Sequence, residues 1–541
     1  MRPSAVRDGV FARLFSRLFS IDGRSLAAFR IGIGALVLVD LWMRSSAIEQ
    51  HYSDLGILPR EAYARLLQVS DWQWSVHLWT GSMAGQYALF VGAAAAACAL
   101  IAGYRTRAAA VVTWALLVSL QARNPMVLYG ADQLLRLLLF WSMFLPLGSS
   151  IRCPPAACRR AIDRRREVAS NPATARHLSM ATAALLLQPC VMYFFAGLLK
   201  SNVSWQSGAA LGHALSSDMY VTPFGRMLAG FPELVSMLGR GVPWVEIFAP
   251  MLLLMPWKTT AFRKVGLPLL VAFHVAMGSA LHTGLFQPAA LVALIPFLPA
   301  GFWDRLGIGH GEVTEASIEK SASLASSAAL SSSFVRWRST VVQAVVAFLF
   351  AYGLAWNVVG LNVHQYAAQQ GLNWMREWWG KGRTGVPLSF RDYAVERRMG
   401  GFGWIGRVSA LHQRWDMFEN VGPEYRGWPV IAGTLTDGQK VSVLDGGPPG
   451  DQGSRLAPEA PLGFYPGTRW LVYFTYLRTS GTQQARELLP AVVTRDWERR
   501  NPGKKLESLR ILFVHPSTAA AGSTPVKTEV WYDGPANGSA S

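Results

Sequence analysis

The stretch that decides the fold is LSMATAALLLQPCVMYFFAGLLK, residues 178–200. It contains no Asp, Glu, Lys or Arg before its last residue, Lys200. A helix of roughly 20 apolar residues matches the thickness of about 30 Å of a bilayer's hydrocarbon core. The stretch therefore predicts a membrane-spanning helix that ends at Lys200.

The rest of the chain has the same character. Of its 541 residues, 51% are hydrophobic and only 16% are charged, which is too apolar for an ordinary soluble protein. The hydropathy pattern predicts an α-helical multi-pass membrane bundle of about nine spans. The candidate spans are 25–43, 84–103, 108–122, 130–147, 178–199, 243–256, 264–282, 284–299 and 340–359.

The distribution of Lys and Arg predicts the orientation of these spans. The net charge is +18, and the basic residues concentrate in alternate loops, beginning with the N-terminal segment. By the positive-inside rule, the N-terminus is cytoplasmic and the C-terminus lies outside an inner membrane. The expected partner is the lipid bilayer. Nucleic acid is not expected, because no soluble segment has a basic module interleaved with aromatic residues.

These spans divide the chain into three regions. Residues 1–24 form a basic cytoplasmic lead-in, residues 25–359 the transmembrane domain, and residues 360–541 an extracytoplasmic domain. Within the transmembrane domain, the small polar residues of 312–333 predict a flexible cytoplasmic linker.

The extracytoplasmic domain is predicted to be α+β. Alternating residues around Asp437-Gly438 predict a hairpin, and SLRILFVHP, residues 508–516, predicts a strand. TQQARELLPAVVTRDWERR, residues 482–500, predicts an amphipathic helix, whereas TRWLVYFTYLR, residues 468–478, fits either a strand or a helix.

The chain's four cysteines give little sign of a metal site. Cys153 and Cys158 form a Cys-x4-Cys pair in a basic loop, without further Cys or His residues at a useful spacing. Structural zinc sites almost always need four such ligands. Two reduced thiols are the simpler interpretation, and we expect no metal.

Lys200 allows two interpretations. A lysine at a helix end can lay its stem on apolar surface and extend its ammonium to the headgroups. Alternatively, the amine packs under the polar turn that contains Trp205, where desolvation favours its neutral form and makes it a base.

Other ionisable groups at membrane depth are candidate pocket residues, because burying them in a bilayer is costly. Asp132 and Arg136 are four residues apart and could neutralise each other on one helical face. His274 and His282, eight residues apart, could also share a face, although His282 also fits a loop position. Glu246 lies within the sixth candidate span.

Several longer stretches of the chain carry a family resemblance. They are AAFRIGIGALVLVDL (27–41) with HYSDLGILPR (51–60), RNPMVLYGADQLLRLLLFWSMFLPLG (123–148), YFFAGLLKSNVSWQSGAAL (193–211), FHVAMGSALHTGLFQPAAL (273–291) and QRWDMFENVGPEYRGWPVIAGTLTDG (413–438). In this order they resemble the horizontally transferred transmembrane domain (HTTM) superfamily, which includes the vitamin K-dependent gamma-carboxylases. The resemblance extends over nearly all of residues 20–515.

The resemblance implies a chemistry for this chain. In the carboxylases a lysine deprotonates reduced vitamin K, oxygen adds, and the resulting strong base removes a proton from a substrate glutamate, leaving an epoxide. Carried over, Lys200 would be the catalytic base and His274 would lie near the same pocket. The implied cofactors are reduced vitamin K or menaquinol with O2 and CO2, and the quinol would enter from the lipid.

Two features separate this chain from the carboxylases. Where they carry an Asn-His pair that assists the lysine, this chain has Asn124-Pro125, and the cysteines that would brace the two domains are missing. The alternative to an enzyme is therefore a non-catalytic membrane partner in the maturation, export or immunity of a secreted peptide.

Overall fold

The structure is a computed structural model that describes most of the chain. The described residues are 4–67, 72–148, 151–152, 176–310, 332–370, 395–396, 398–419, 421–422, 427–447, 462, 464–465, 467–479, 483–515 and 527–536. Cys153, Cys158 and residues 312–331 of the predicted linker lie outside them.

The protein is mostly helical, and five helices in the described part are long and apolar enough to cross a membrane. Two of them begin at well-formed caps. The Asp22 carboxylate accepts a hydrogen bond from the Arg24 N–H, and Ser179 forms a reciprocal capping box with Thr182. The five helices are Gly23–Ser45, Met83–Ala102, Met180–Leu199, Thr259–Ala280 and Thr340–Leu361, the last within the longer helix Ser332–Gln370.

The four other predicted spans are also helical, but they are shorter or less apolar. They correspond to Thr106–Arg123, Gly130–Ser142, Pro232–Leu253 and Phe286–Leu294, the last continued by a 3-10 turn at Ile295–Phe297. Candidate span 243–256 is thus only the second half of a longer helix. Helix 332–370 likewise continues past the predicted domain boundary at residue 359.

Short elements join the ends of the long helices. At one end lie Ile48–Tyr52, Arg60–Leu66, Val203–Ser207, Ala209–Leu215 and Pro223–Ala229. At the other end lie helices Ser4–Phe19 and Ala300–Arg305 and two small antiparallel pairs, in which β1 (Ile21–Asp22) pairs with β3 (Arg176–His177) and β2 (Ile151–Arg152) pairs with β4 (Gly309–His310).

The C-terminal domain is built on an antiparallel four-stranded sheet with the strand order β6-β5-β7-β8. The strands are β5 (Trp428–Leu435), β6 (Lys440–Ser442), β7 (Leu506–His515) and β8 (Lys527–Pro535). The hairpin at Asp437-Gly438 and the 508–516 strand are therefore confirmed. The described part of the domain also contains helices Gly403–Val408, Thr468–Thr479, Gln483–Glu487 and Leu489–Arg500. The ambiguous 468–478 stretch is therefore helical. The single helix predicted over 482–500 is divided into two.

Two large hydrophobic clusters show how the domains join. One lies within the helical bundle and includes Leu411 and Trp415 from the segment after helix 332–370. The other is the core of the C-terminal domain, and it includes Ile57 and Tyr63 from the loop after helix 23–45 together with Val127. Because each core contains residues of the other region, the domains share a continuous apolar interface.

Candidate functional site

A cavity of about 190 Å³ lies where the helical bundle meets the C-terminal domain. Its wall is mostly apolar, with Val242, Phe273, Met277, Phe286 and Val472 among the lining residues. The polar lining includes Tyr129, Lys200, Glu246, Thr283, Gln287 and Thr468. An apolar pocket with a few polar groups is the usual form of a small-molecule site.

Lys200 and Glu246 form a buried ion pair on this wall. The side chains are only 4% and 9% exposed, and the Lys200 Nζ lies 2.7 Å from Glu246 Oε2. The Nζ donates hydrogen bonds to Glu246 Oε1 at 3.0 Å and to the Ala196 carbonyl at 3.3 Å. Lys200 therefore does not extend toward solvent as a snorkelling lysine would.

The position of the pair follows from close helix packing. Lys200 is the C-cap of helix 180–199, and Glu246 lies on helix 232–253. A Cβ atom on Gly197 would lie 2.7 Å from the Ile247 side chain and 3.2 Å from the Glu246 Cβ. Glycine at position 197 thus permits the approach that brings the lysine to the carboxylate.

One oxygen of Glu246 keeps acceptor capacity. Oε2 is buried and has no aligned hydrogen-bond donor among the described residues, although it lies within ion-pair distance of Lys200. An ionised carboxylate has about four lone-pair sites, so Oε2 can accept a further hydrogen bond while it pairs with the Lys200 ammonium. A ligand hydroxyl at this point of the wall would donate it.

Trp205 connects Lys200 to the C-terminal region. The Lys200 Nζ lies 5.7 Å from the centre of the Trp205 ring, within cation–π range. The indole N–H of Trp205 donates to the carbonyl oxygens of Phe418 and Glu419 at 2.9 and 3.1 Å. The tryptophan therefore fixes one side of the cavity.

His274 lies behind the cavity wall. It is 1% exposed, and its Nδ1 contacts Gln287 Oε1 while its Nε2 contacts the Tyr193 hydroxyl. The Gln287 oxygen can only accept, so Nδ1 carries the proton and Nε2 accepts from Tyr193. Through Gln287, which lines the cavity, His274 orients a polar group of the wall.

His282 lies elsewhere. Helix 259–280 ends at Ala280, so the helical spacing that would place both histidines on one face does not extend to residue 282. His282 is exposed, and its backbone N–H donates to the Tyr220 carbonyl. The placement of both histidines on one face was wrong, and the loop interpretation describes His282.

The predicted Asp132–Arg136 pair is also wrong. Asp132 belongs to a buried cluster, here called the clamp, that consists of Asp40, Arg44, Asp132 and Arg469. Arg136 instead donates to the backbone carbonyls of Ala410 and His412. The four-residue spacing did not reveal that both side chains have partners far away in the sequence.

The clamp joins the helical bundle to the C-terminal domain. Arg469 donates through both terminal nitrogens to Asp132 at 2.9 Å, and it reaches Asp40 at 2.5 Å. Arg44 donates to Asp40 at 2.7 Å and also contacts Asp132. Burial lowers the pKa of Arg469, but the two carboxylates outweigh burial and raise it well above its ordinary value. With two charges of each sign, the clamp is electrically neutral.

The clamp also touches the cavity. The Arg469 guanidinium lies 5.1 Å from the centre of the Tyr129 ring, and Tyr129 lines the cavity together with Thr468, the residue before Arg469. The Tyr129 hydroxyl accepts from the Leu285 N–H at 3.0 Å. The contact between the domains therefore shares Tyr129 and the start of helix 468–479 with the cavity wall.

His51 lies next to the clamp without hydrogen bonds to its ring. It is 1% exposed, its ring centre lies 4.5 Å from that of Trp470, and neither ring nitrogen has a partner in the described part of the chain. Burial, with the positive charges of Arg469 and Arg44, lowers the pKa of His51 to about 3.

Replacing His51 by phenylalanine is expected to reduce the protein's sensitivity to acid. An unfolded histidine takes up a proton as the pH falls through its ordinary pKa of 6.5, whereas folded His51 stays neutral until about pH 3. Between these values the histidine lowers the free energy of unfolding by about 1.4 kcal/mol per pH unit. Thermal unfolding in detergent at several pH values should therefore show a smaller loss of Tm for His51→Phe. The exposed control His282→Phe should follow the wild type, and a wild-type pH slope for His51→Phe would contradict this assignment.

The sequence analysis missed several residues of this site. Gln287 and Tyr193 were polar groups within apolar stretches, a signal that could have identified them. Arg44 lies four residues after its partner Asp40 on the same helix, a spacing that could have identified that pair. Arg469 gave no comparable signal, because only the interdomain contact brings it near Asp40 and Asp132. Across the described residues, no group of three or more His, Cys, Asp or Glu side chains could hold a metal ion.

Comparison with known protein families, curated proteins and solved structures finds no match for this chain.

Proposed function

We propose that this protein is an inner-membrane protein that binds a reduced quinone in the Lys200 cavity and uses the Lys200–Glu246 pair to handle a proton of its hydroxyl group. The observation that carries the proposal is a buried ion pair on the wall of a mostly apolar cavity. The proposal includes nine spans, a cytoplasmic N-terminus and an extracytoplasmic C-terminal domain, as the distribution of basic residues indicates.

The cavity suits the ring of such a ligand. At about 190 Å³ it is close in size to a cavity of about 150 Å³ that accepts benzene, so it fits an aromatic head group but not a long isoprenoid tail. Glu246 Oε2 and Gln287 supply polar contacts for a ring hydroxyl, while Phe273 and Phe286 supply apolar walls.

The proposed route from the lipid runs between two of the helices that line the cavity. Helices 232–253 and 259–280 contribute Val242 and Met277 to the wall. On their outer faces, Trp244, Phe248 and Val275 are 61%, 53% and 56% exposed, as expected of lipid-facing residues. A lipid-soluble ligand would pass between these helices, and its tail would stay in the bilayer.

The ion pair can hold one proton in two ways. With the proton on Lys200, the pair is an ammonium and a carboxylate; with the proton on Glu246, it is an amine and a carboxylic acid. Both have zero net charge, and the proposed chemistry uses the second form. In that form the Lys200 Nζ can accept a proton from a ligand hydroxyl.

A reduced quinone bound here would be the group that O2 oxidises, and CO2 would supply the carboxyl group for a carboxylase-like modification of a secreted substrate. Trp205 fixes the lysine side of the cavity, and His274 holds Gln287. The apolar walls exclude water from the amine, so that its proton exchanges with the ligand and with Glu246.

Replacing Lys200 by alanine tests this function. The purified protein would be incubated with a reduced quinone and O2, and quinone epoxide would be measured by mass. General-base catalysis contributes roughly 10²–10⁴-fold, so Lys200→Ala should lose at least that much of the rate. The matched control Lys264→Ala removes an exposed lysine and should keep the wild-type rate. Equal epoxide from wild type and Lys200→Ala, or none from either, would refute the proposal.

A further inference from the structure

A second and larger cavity lies at the opposite end of the bundle. Its volume is about 720 Å³, and its lining includes Asp22 and Lys258, next to the first residues of helices 23–45 and 259–280. Helix 180–199 begins near this cavity and ends at Lys200. A helix of that length is roughly 30 Å long, so the two cavities lie about one membrane thickness apart.

The lining of this cavity is strongly basic. Its described lining includes four cations: Arg17, Arg176, Lys258 and Arg263. The one carboxylate in the described lining belongs to Asp22, and it is already engaged by three hydrogen bonds from Arg24. The wall therefore carries an excess of positive charge that an anion would neutralise.

Arg263 is held in place on this wall. Its Nε donates to the Leu253 carbonyl at 3.1 Å, and its Nη2 donates to the Leu18 carbonyl at 2.6 Å. Its guanidinium lies 5.2 Å from the centre of the Phe297 ring. An arginine fixed in this way is a preorganised anion contact, because little of its freedom remains to be lost on binding.

The start of helix 259–280 adds backbone donors. Thr259 and Thr260 line the cavity, and no side chain caps this first turn, whereas the N–H of Ala261 already donates to the Lys258 carbonyl at 2.8 Å. The first N–H groups of a helix have no partners within the helix, and they carry the positive end of its dipole. Phosphate groups commonly bind at such a position.

Ser20 gives independent support for a ligand. It is 7% exposed and lines the cavity, and its hydroxyl has no hydrogen-bond partner among the residues that the structure describes. Burying a hydroxyl without a partner costs about 1–3 kcal/mol. An anion in the cavity would accept its hydrogen bond.

From these features we propose that this basic cavity binds the phosphate group of an anionic head group, such as that of phosphatidylglycerol. The fixed Arg263, the exposed Lys258 and Arg17, the first turn of helix 259–280 and the Ser20 hydroxyl supply its contacts. The volume is larger than a single phosphate needs, so glycerol phosphate also fits. Basic pockets between membrane helices commonly bind such head groups on the cytoplasmic side.

The test measures binding to the full-length protein in a neutral detergent. The probes are dihexanoyl phosphatidylglycerol, a short-chain lipid with a phosphodiester, and glycerol 3-phosphate, a phosphomonoester without acyl chains. The double variant Arg17→Glu/Lys258→Glu should weaken binding roughly tenfold or more, since each basic residue contributes about 1 kcal/mol near a lipid head group. Both side chains are exposed, and unchanged thermal unfolding would show that the fold is intact.

The control variant Arg226→Glu reverses an exposed charge at the other end of the bundle and should bind as the wild type does. Ser20→Ala should weaken binding by a smaller factor than the double variant. If only the lipid binds with this dependence, the phosphate belongs to a membrane head group; if glycerol 3-phosphate binds equally well, it belongs to a soluble ester. Equal lipid binding by the wild type, the double variant and Arg226→Glu would overturn the proposal.

Discussion

Replacing Arg469 by alanine is expected to lower the free energy of unfolding by about 3–5 kcal/mol, because it removes one partner of a buried ion cluster. Asp40 and Asp132 are both 1% exposed, and Arg44 alone would then have to neutralise them. Arg469 also donates to the Val127 carbonyl at 2.8 Å, so this acceptor loses its donor too. The C-terminal domain should loosen from the bundle before the bundle itself unfolds.

Thermal unfolding and limited proteolysis of the purified protein in detergent measure this effect. The control Arg510→Ala removes an exposed ion pair, with side chains 48% and 61% exposed, and should change stability by less than about 1 kcal/mol. The double variant Arg469→Met/Asp132→Asn restores neutrality and should recover part of the loss. Wild-type stability of Arg469→Ala would show that the clamp does not hold the domains together.

The second large effect is expected from Glu246→Leu. Removing the carboxylate leaves the Lys200 amine in an apolar wall without its partner, which costs about 3–5 kcal/mol when the amine is charged. Replacing both residues, as in Lys200→Met/Glu246→Leu, removes both charges, and most of the stability should return. Removal of a whole buried pair is often neutral, whereas removal of one partner is not.

Comparison of the wild type, Glu246→Leu and Lys200→Met/Glu246→Leu separates a structural role of Lys200 from a chemical one. The double variant should be folded, yet it should form no quinone epoxide, because no amine remains in the cavity. The control Glu233→Leu changes an exposed carboxylate on the same helix and should leave stability unchanged. A double variant that is no more stable than Glu246→Leu would contradict the assignment of a simple ion pair.

Local sequence patterns predicted the local structure well. The apolar run before Lys200 predicted a helix with that residue at its end, and Asp437-Gly438 predicted the hairpin of β5 and β6. In each case a few neighbouring residues determine the backbone. The sequence did not decide between strand and helix for residues 468–478, because their aromatic and β-branched side chains suit a strand as well as a buried helix.

Side-chain partners were predicted poorly, for a physical reason. Asp132 has an arginine four residues away, but its ion pairs are with Arg44 and with Arg469, 337 residues later. Glu246 was recognised as a costly charge, yet nothing in the sequence indicated that Lys200 would be its partner. Such pairs depend on how helices pack and domains dock, and periodicity does not encode this information.

The neutrality of the clamp has a consequence for how the protein is made. During synthesis, Asp40, Arg44 and Asp132 emerge long before Arg469, because chains are made from the N-terminus. Until the last cation arrives, the early helices hold two carboxylates and one guanidinium at the place where they must pack. The nascent bundle therefore carries an uncompensated negative charge, and only a chain translated past residue 469 can complete it. The clamp therefore makes docking of the C-terminal domain a final assembly step, because a chain without Arg469 lacks the second cation that the two buried carboxylates need.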